Sequence, residues 1–143
     1  MRMTKACEYG LQGVLHLAMQ PAGKTTLLSE ISKERVIPYS FLGKIFRHLV
    51  KAGIVKSLRG VHGGFVLGRS PKKITMKDVV ESVEGDIAFS NCSSNTNGCE
   101  RIAYCSMATS WRKAHQRALE VLENVTFETL AREEKKKAIQ GKK

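Results

Sequence analysis

The sequence has no hydrophobic run long enough to span a bilayer. Its most apolar N-terminal stretch, 11–19, is broken by Gln12, Gly13 and His16, which also argues against a signal peptide. A cytoplasmic location is expected, with no membrane partner. In that compartment the four cysteines are thiols or metal ligands rather than disulfides. There is no internal repeat. No Ser/His/Asp set, paired acids or phosphate loop is visible, and His16, His48, His62 and His115 are scattered. No enzymatic function is therefore expected.

Acidic residues are scarce in one half only. Counting Lys and Arg against Asp and Glu, residues 1–77 hold 14 against 3, and residues 78–143 hold 10 against 10. The whole formal charge of +11 thus lies in the first half. A polyanion is the natural partner for such a surface, because each neutralised phosphate releases counterions.

Hydrophobic spacing predicts a mainly α-helical chain. A first helix is expected over 4–19, with Thr4 as N-cap and Leu11, Val14, Leu15 and Ala18 at helical spacing. Thr26 is expected to cap a short second helix with Leu27, Leu28 and Ile31 on its inner face. A third helix starts near Pro38 or Tyr39. Leu42, Ile45, Phe46, Leu49 and Val50 form its apolar stripe, and Gly53 stands where a C-terminal glycine should. Its opposite face carries Tyr39, Ser40, Gly43, Lys44, Arg47 and Lys51.

Two β-like runs, 54–58 and 65–67, flank Arg59-Gly60-Val61-His62-Gly63-Gly64, the composition of a hairpin tip. Thr75 and Asp78 resemble a capping box opening a fourth helix. Residues 85–104 lose periodicity and read as a long loop. A long helix is expected over about 103–123, with Met107, Trp111, Ala114, Ala118, Val121, Leu122 and Val125 near one face. Thr126 caps a last helix, and 133–143 reads as a frayed, charged tail.

Two constellations carry chemistry. Helix, turn, helix and Gly-rich hairpin is the order of a winged helix–turn–helix. Tyr39, Ser40, Lys44 and Arg47 would face base edges and phosphates, and Arg59, His62 and Gly63 of the wing would face the backbone or minor groove. The second is Cys92-x6-Cys99-x5-Cys105. Three thiolates so close in sequence suit an iron–sulfur cluster or zinc, or else form a thiol switch; the spacing is not that of a zinc ribbon. Cys7 reads as a small buried hydrophobe or a ligand, and Glu8 as a first-turn carboxylate.

The chain resembles the Rrf2 (Rrf-two) family of bacterial winged-helix regulators, with its IscR-, NsrR-, RirA- and CymR-like branches. The resemblance is carried by 1–5, by 40–46 followed by Leu49-x-x-Ala52-Gly53-Ile54-Val55, by Leu58-Arg59-Gly60-x-x-Gly63-Gly64-Phe65-x-Leu67, and by Val79-x-x-x-Val83-Glu84-Gly85. It implies a homodimer bound to a double-stranded DNA operator, packed through the long helix. It also implies an iron–sulfur cluster, 2Fe–2S or 4Fe–4S, on Cys92, Cys99 and Cys105. In one branch the fourth ligand is a helix 1 carboxylate of the other subunit, where Glu8 falls, with Cys7 the runner-up. The His that follows the third cysteine in another branch is absent, since Met107 and Ala108 follow Ser106.

The expected organisation is a winged helix–turn–helix at 1–84 and a cysteine-bearing sensor loop at 85–106. A dimerisation helix with the C-terminal helix follows at 107–138, then a tail at 139–143. The function implied is transcription regulation, as repressor or dual regulator, gated by the cluster through redox, nitric oxide or iron status. A metal-free thiol- or ligand-sensing regulator is the alternative, and an iron–sulfur electron carrier is a further one.

Overall fold

The structure, a computed structural model, describes residues 3–90 and 99–141. Its elements are α1 (Lys5–Met19), α2 (Leu28–Arg35), α3 (Tyr39–Lys51), β1 (Val55–Leu58), β2 (Gly64–Leu67), a 3-10 turn (Pro71–Lys73), α4 (Met76–Glu84), α5 (Met107–Asn124) and α6 (Phe127–Gly141). This is a mainly α winged helix–turn–helix. No helix among the described residues is long and apolar enough to cross a membrane.

α1 is the spine. Thr4 caps it by accepting from the Cys7 amide at 3.2 Å. α3, α4 and α6 all pack on it. The contact with α3 is close because Gly13 has no side chain: a Cβ there would lie 2.8 Å from Phe46 Cε2. The core joins Val14 and Leu17 to Ile31, Leu42, Ile45, Phe46 and Leu49, with Ile54, Val55, Ile74 and Val79 beneath the wing and α4. Thr75 and Asp78 form the expected capping box, with both reciprocal bonds made. Gly53, at φ +75, ends the third helix region in the left-handed conformation that glycine favours.

The C-terminal helix lies across α1 and contributes Phe127 and Ala131 to the same core. Arg35 Nη1 meets Glu134 Oε1 at 2.5 Å and also reaches Gln12 Oε1 at 3.2 Å. That guanidinium ties α2, α1 and α6 together.

Three local expectations are corrected. Thr26 does not cap α2: Leu27 is the N-cap residue, without a side-chain bond, and is half exposed. Thr26 is instead buried, exchanging main-chain bonds with Phe65 at 3.0 and 2.8 Å. The long helix begins at Met107 rather than near 103, because 100–104 forms turns. The charged stretch from 133 is helical to Gly141 rather than frayed. Packing through Ala131 and the Arg35–Glu134 pair supplies the ordering that its composition does not suggest.

Candidate nucleic-acid interface

α3 buries Leu42, Ile45, Phe46 and Leu49 and turns its other side to solvent. Tyr39, Ser40, Lys44, Arg47 and Lys51 are all exposed there. Lys44, Arg47 and Lys51 take part in no ion pair among the described residues. Gly43 lies among them with open space above it, since a Cβ there would meet nothing within 4 Å.

The wing stands beside this face. β1 and β2 pair antiparallel, Val55 opposite Leu67 and Leu58 opposite Gly64. Arg59 and His62 are exposed at the tip, and Gly63 is half-buried, its amide donating to Gly60 O at 2.9 Å. Three contacts fix the ribbon. Phe65 packs edge-on to Phe46 with centroids 5.0 Å apart. Thr26 and Phe65 bridge. Thr25 Oγ1 donates to His62 O at 3.1 Å. Gly64 permits the bridge: its φ is +149, and a Cβ would sit 2.8 Å from Thr26 O. Between α3 and the wing runs a groove with an apolar floor of Phe46, Val50 and Phe65, edged by Arg47, Lys51 and Ser57. Cations and hydroxyls around a groove of this kind suit a phosphate backbone. Thr25 and the Phe46–Phe65 pair were not visible in the sequence, since each acts through a contact with a distant segment.

The second constellation is described only in part. Cys92 lies outside the described residues. Cys99 and Cys105 are half-buried free thiols. Cys99 opens a turn, its carbonyl accepting from Ile102 N at 3.3 Å; Cys105 precedes α5, its carbonyl accepting from Ala108 N at 3.3 Å. No three potential metal ligands converge among the described residues of one chain. Cys7 is fully buried against Val80 and Ile87. Burial, then the Glu84 and Glu8 charges, pushes its thiol up to about 11, so it stays protonated at neutral pH and fits a packing role better than a ligand role. Glu8 is exposed and pairs with Lys5 at 2.9 Å, which raises the Lys5 pKa first through that hydrogen bond. An exposed pair of this kind is easily exchanged. Two accessible thiols and a displaceable carboxylate are donors that fit an iron–sulfur group. A buried ring nitrogen of His115, with no partner among the described residues, lies on the inner side of α5.

α5 has two stripes. Ala108, His115, Leu119 and Leu122 face inward, where Leu119 and Leu122 pack on the cluster around Cys7, Val80 and Ile87. Met107, Trp111, Ala114, Ala118 and Val121 recur at alternating spacings of four and three residues. Met107, Trp111 and Val121 are well exposed.

The profile of the Rrf2 family, described as "Iron-dependent Transcriptional regulator", matches residues 3–133. The chain is similar to the HTH-type transcriptional regulator IscR of Pectobacterium carotovorum, 31% identical over 130 residues, which is 91% of this chain and 79% of that protein. Among solved structures it is similar to CymR, the global cysteine regulator of B. subtilis, with TM-score 0.78, 29% identity and coverage of 92% and 96% of the two chains. It is also similar to T. potens IscR, with TM-score 0.73, 26% identity and coverage of 91% and 86%.

Proposed function

The chain belongs to the Rrf2 family of DNA-binding transcriptional regulators, and from that premise we propose that it is a homodimeric regulator whose operator binding is gated by an iron–sulfur cluster. The observation that carries the DNA half of this reading is the exposed cationic face of α3, free of ion pairs among the described residues and set beside the wing. Tyr39, Ser40, Lys44 and Arg47 enter the major groove, and Arg59, His62 and Gly63 meet the adjacent backbone or minor groove. Lys51 is a further phosphate contact.

The dimer forms along the outer stripe of α5. Met107, Trp111, Ala114, Ala118 and Val121 have the spacing of a two-helix seam, and exposed apolar side chains on a helix otherwise rich in charge are best buried against a second copy. Two recognition helices then read half-sites about 34 Å apart, one turn of DNA.

Cys92, Cys99 and Cys105 would hold the cluster, with Glu8 of the partner subunit as the fourth ligand. When bound, the cluster supplies a redox- and nitric-oxide-sensitive centre. The chain's own residues do the rest. Releasing Glu8 from Lys5 toward the partner ties the cysteine segment of one subunit to α1 of the other. α1 packs directly on α3 through Gly13 and Phe46, so that tie bears on the placement of the recognition helix. Such coupling is reciprocal: what the cluster does to DNA affinity, DNA does to cluster affinity.

Anaerobically isolated protein should be brown, and a Cys92/Cys99/Cys105→Ala triple variant colourless. Colourless wild-type protein after reconstitution with iron and sulfide would reject the cluster. It would favour a metal-free thiol sensor, a second reading supported by the half-buried thiols of Cys99 and Cys105 and by the likeness to CymR.

A further inference from the structure

A second set of cations lies outside the interface formed by α3 and the wing. Two grooves hold it, and Ala18 and Pro71 line both, so the grooves adjoin. The first lies between the end of α1 and the base of the wing. Leu17, Val66 and Leu67 give it apolar lining, and Lys24 and Arg69 stand beside them. The second follows α6, where Arg132, Lys135 and Lys136 flank Ala131 and Ile139. Lys72 and Lys73 come directly after Pro71 in the 3-10 turn, which packs on α6.

Lys24, Lys72, Lys73, Arg132, Lys135 and Lys136 are all exposed. None of them takes part in an ion pair among the described residues. Lys24 Nζ meets a neutral acceptor, Gln20 Oε1, at 3.1 Å. Of the acids nearby, Asp78 is engaged by Arg69 at 3.1 Å and Glu134 by Arg35. Glu128 lines the second groove and Glu133 follows Arg132, too few to balance the cations. A patch of one sign repels itself, and a polyanion relieves that repulsion. The apolar lining suits the alkyl stems of lysine and arginine, whose heads stay in water.

This track is continuous with the wing. Val66 and Leu67 belong to β2, and Lys24 adjoins Thr25, whose hydroxyl holds the wing tip through His62 O. Resting on the DNA reading above, we propose that the track is a second duplex-binding surface, taking the phosphates of DNA that flanks the half-site beyond the wing. It contacts backbone and reads no bases, so it adds affinity and salt dependence without sequence preference.

Two duplexes test this. Both carry one preferred sequence selected from a random library; the longer is extended on each side by about ten base pairs, one helical turn, of arbitrary sequence. Full-length wild type, Lys72→Gln/Lys73→Gln and Lys135→Gln/Lys136→Gln, all prepared as for the selection, are titrated by fluorescence anisotropy across a salt series. Wild type should bind the longer duplex several-fold more tightly. Its salt dependence there should be steeper, by about 0.9 unit of slope for each added phosphate contact. Each double variant should match wild type on the short duplex and lose part of the gain on the long one. The four replaced side chains are exposed, so melting temperatures should stay those of wild type. Longer DNA also offers more non-specific sites, but the variants share that gain, and the difference from wild type isolates the track. If wild type gains nothing from the flanks, the inference fails and the track is left to another polyanion, such as an acidic protein segment. It fails too if either double variant keeps the whole gain, or weakens both duplexes equally, the mark of a general charge effect. If wild type binds neither duplex, the DNA reading falls first and this inference with it.

Discussion

Replacing Gly64 by alanine tests how the wing is fastened to the helix–turn–helix. Gly64 sits at φ +149, where an L side chain is strained, and its Cβ would lie 2.8 Å from the Thr26 carbonyl oxygen and 3.1 Å from its carbon. Those atoms are backbone, and Thr26 is fully buried, so no flexible side chain can swing aside. The backbone conformation alone costs about 1–3 kcal/mol. If the chain moves to relieve the clash, it stretches the paired bonds of Thr26 and Phe65, 3.0 and 2.8 Å long. Each such bond contributes about 1 kcal/mol. Since strain and bond loss partly substitute for each other, the expected loss is about 2–4 kcal/mol. Urea unfolding of the cluster-free protein, followed by far-ultraviolet circular dichroism, reads this as a lower midpoint at unchanged slope. The same variant should bind duplex DNA more weakly, because the tip carrying Arg59 and His62 is hung from that bridge. A Gly64→Ala midpoint within about 0.5 kcal/mol of wild type would refute the reasoning, since changes of that size are ordinary for positions free of strain.

Gly43→Ala should do the opposite, stabilising by up to about 1 kcal/mol, because the added methyl meets open space and glycine is a poor helix former; the same urea series checks it, and a lower midpoint contradicts it. Arg59→Ala should weaken binding to most duplex sequences and reduce the slope of log affinity against log salt by about one unit per lost phosphate contact. Normal binding would remove Arg59 from the interface. Burial, followed by the Arg35 charge, holds the His16 imidazole below its usual value of 6.5, so the unfolded chain takes the proton more readily. Its contribution is complete above about pH 6.5 and is lost as pH falls from there to the depressed folded value. His16→Gln should flatten that part of a stability-versus-pH curve, and identical curves would contradict the assignment.

Much of this fold is written locally. The Thr4 cap, the Thr75–Asp78 box, Gly53 after α3, and the Leu42-Ile45-Phe46-Leu49 stripe each rest on residues a few positions apart, and each is found where the sequence puts it. What the sequence hides is long-range. Thr26 reads as a helix cap until Phe65 is known to lie beside it. The Glu- and Lys-rich end of the chain reads as solvated coil until Arg35 and α1 supply a surface. The outer stripe of α5 was legible as apolar, but only the fold separates it from the adjacent inner stripe. Of the candidate interface, the exposure of Lys44, Arg47 and Arg59 follows from helical and hairpin periodicity. The supports of the wing do not, since Thr25 and Phe46 act across the chain.

The central claim is that cluster state sets DNA affinity. The most direct test selects a preferred duplex from a random library with anaerobically loaded protein. The affinity of loaded, cluster-free and Cys92/Cys99/Cys105→Ala protein for that duplex is then measured by fluorescence anisotropy at one fixed salt concentration. The account predicts a difference of about 5–150-fold between loaded and cluster-free protein, the usual span of an allosteric coupling, with the triple variant unresponsive to iron and sulfide. Equal affinity of loaded and cluster-free protein for the duplex would contradict it.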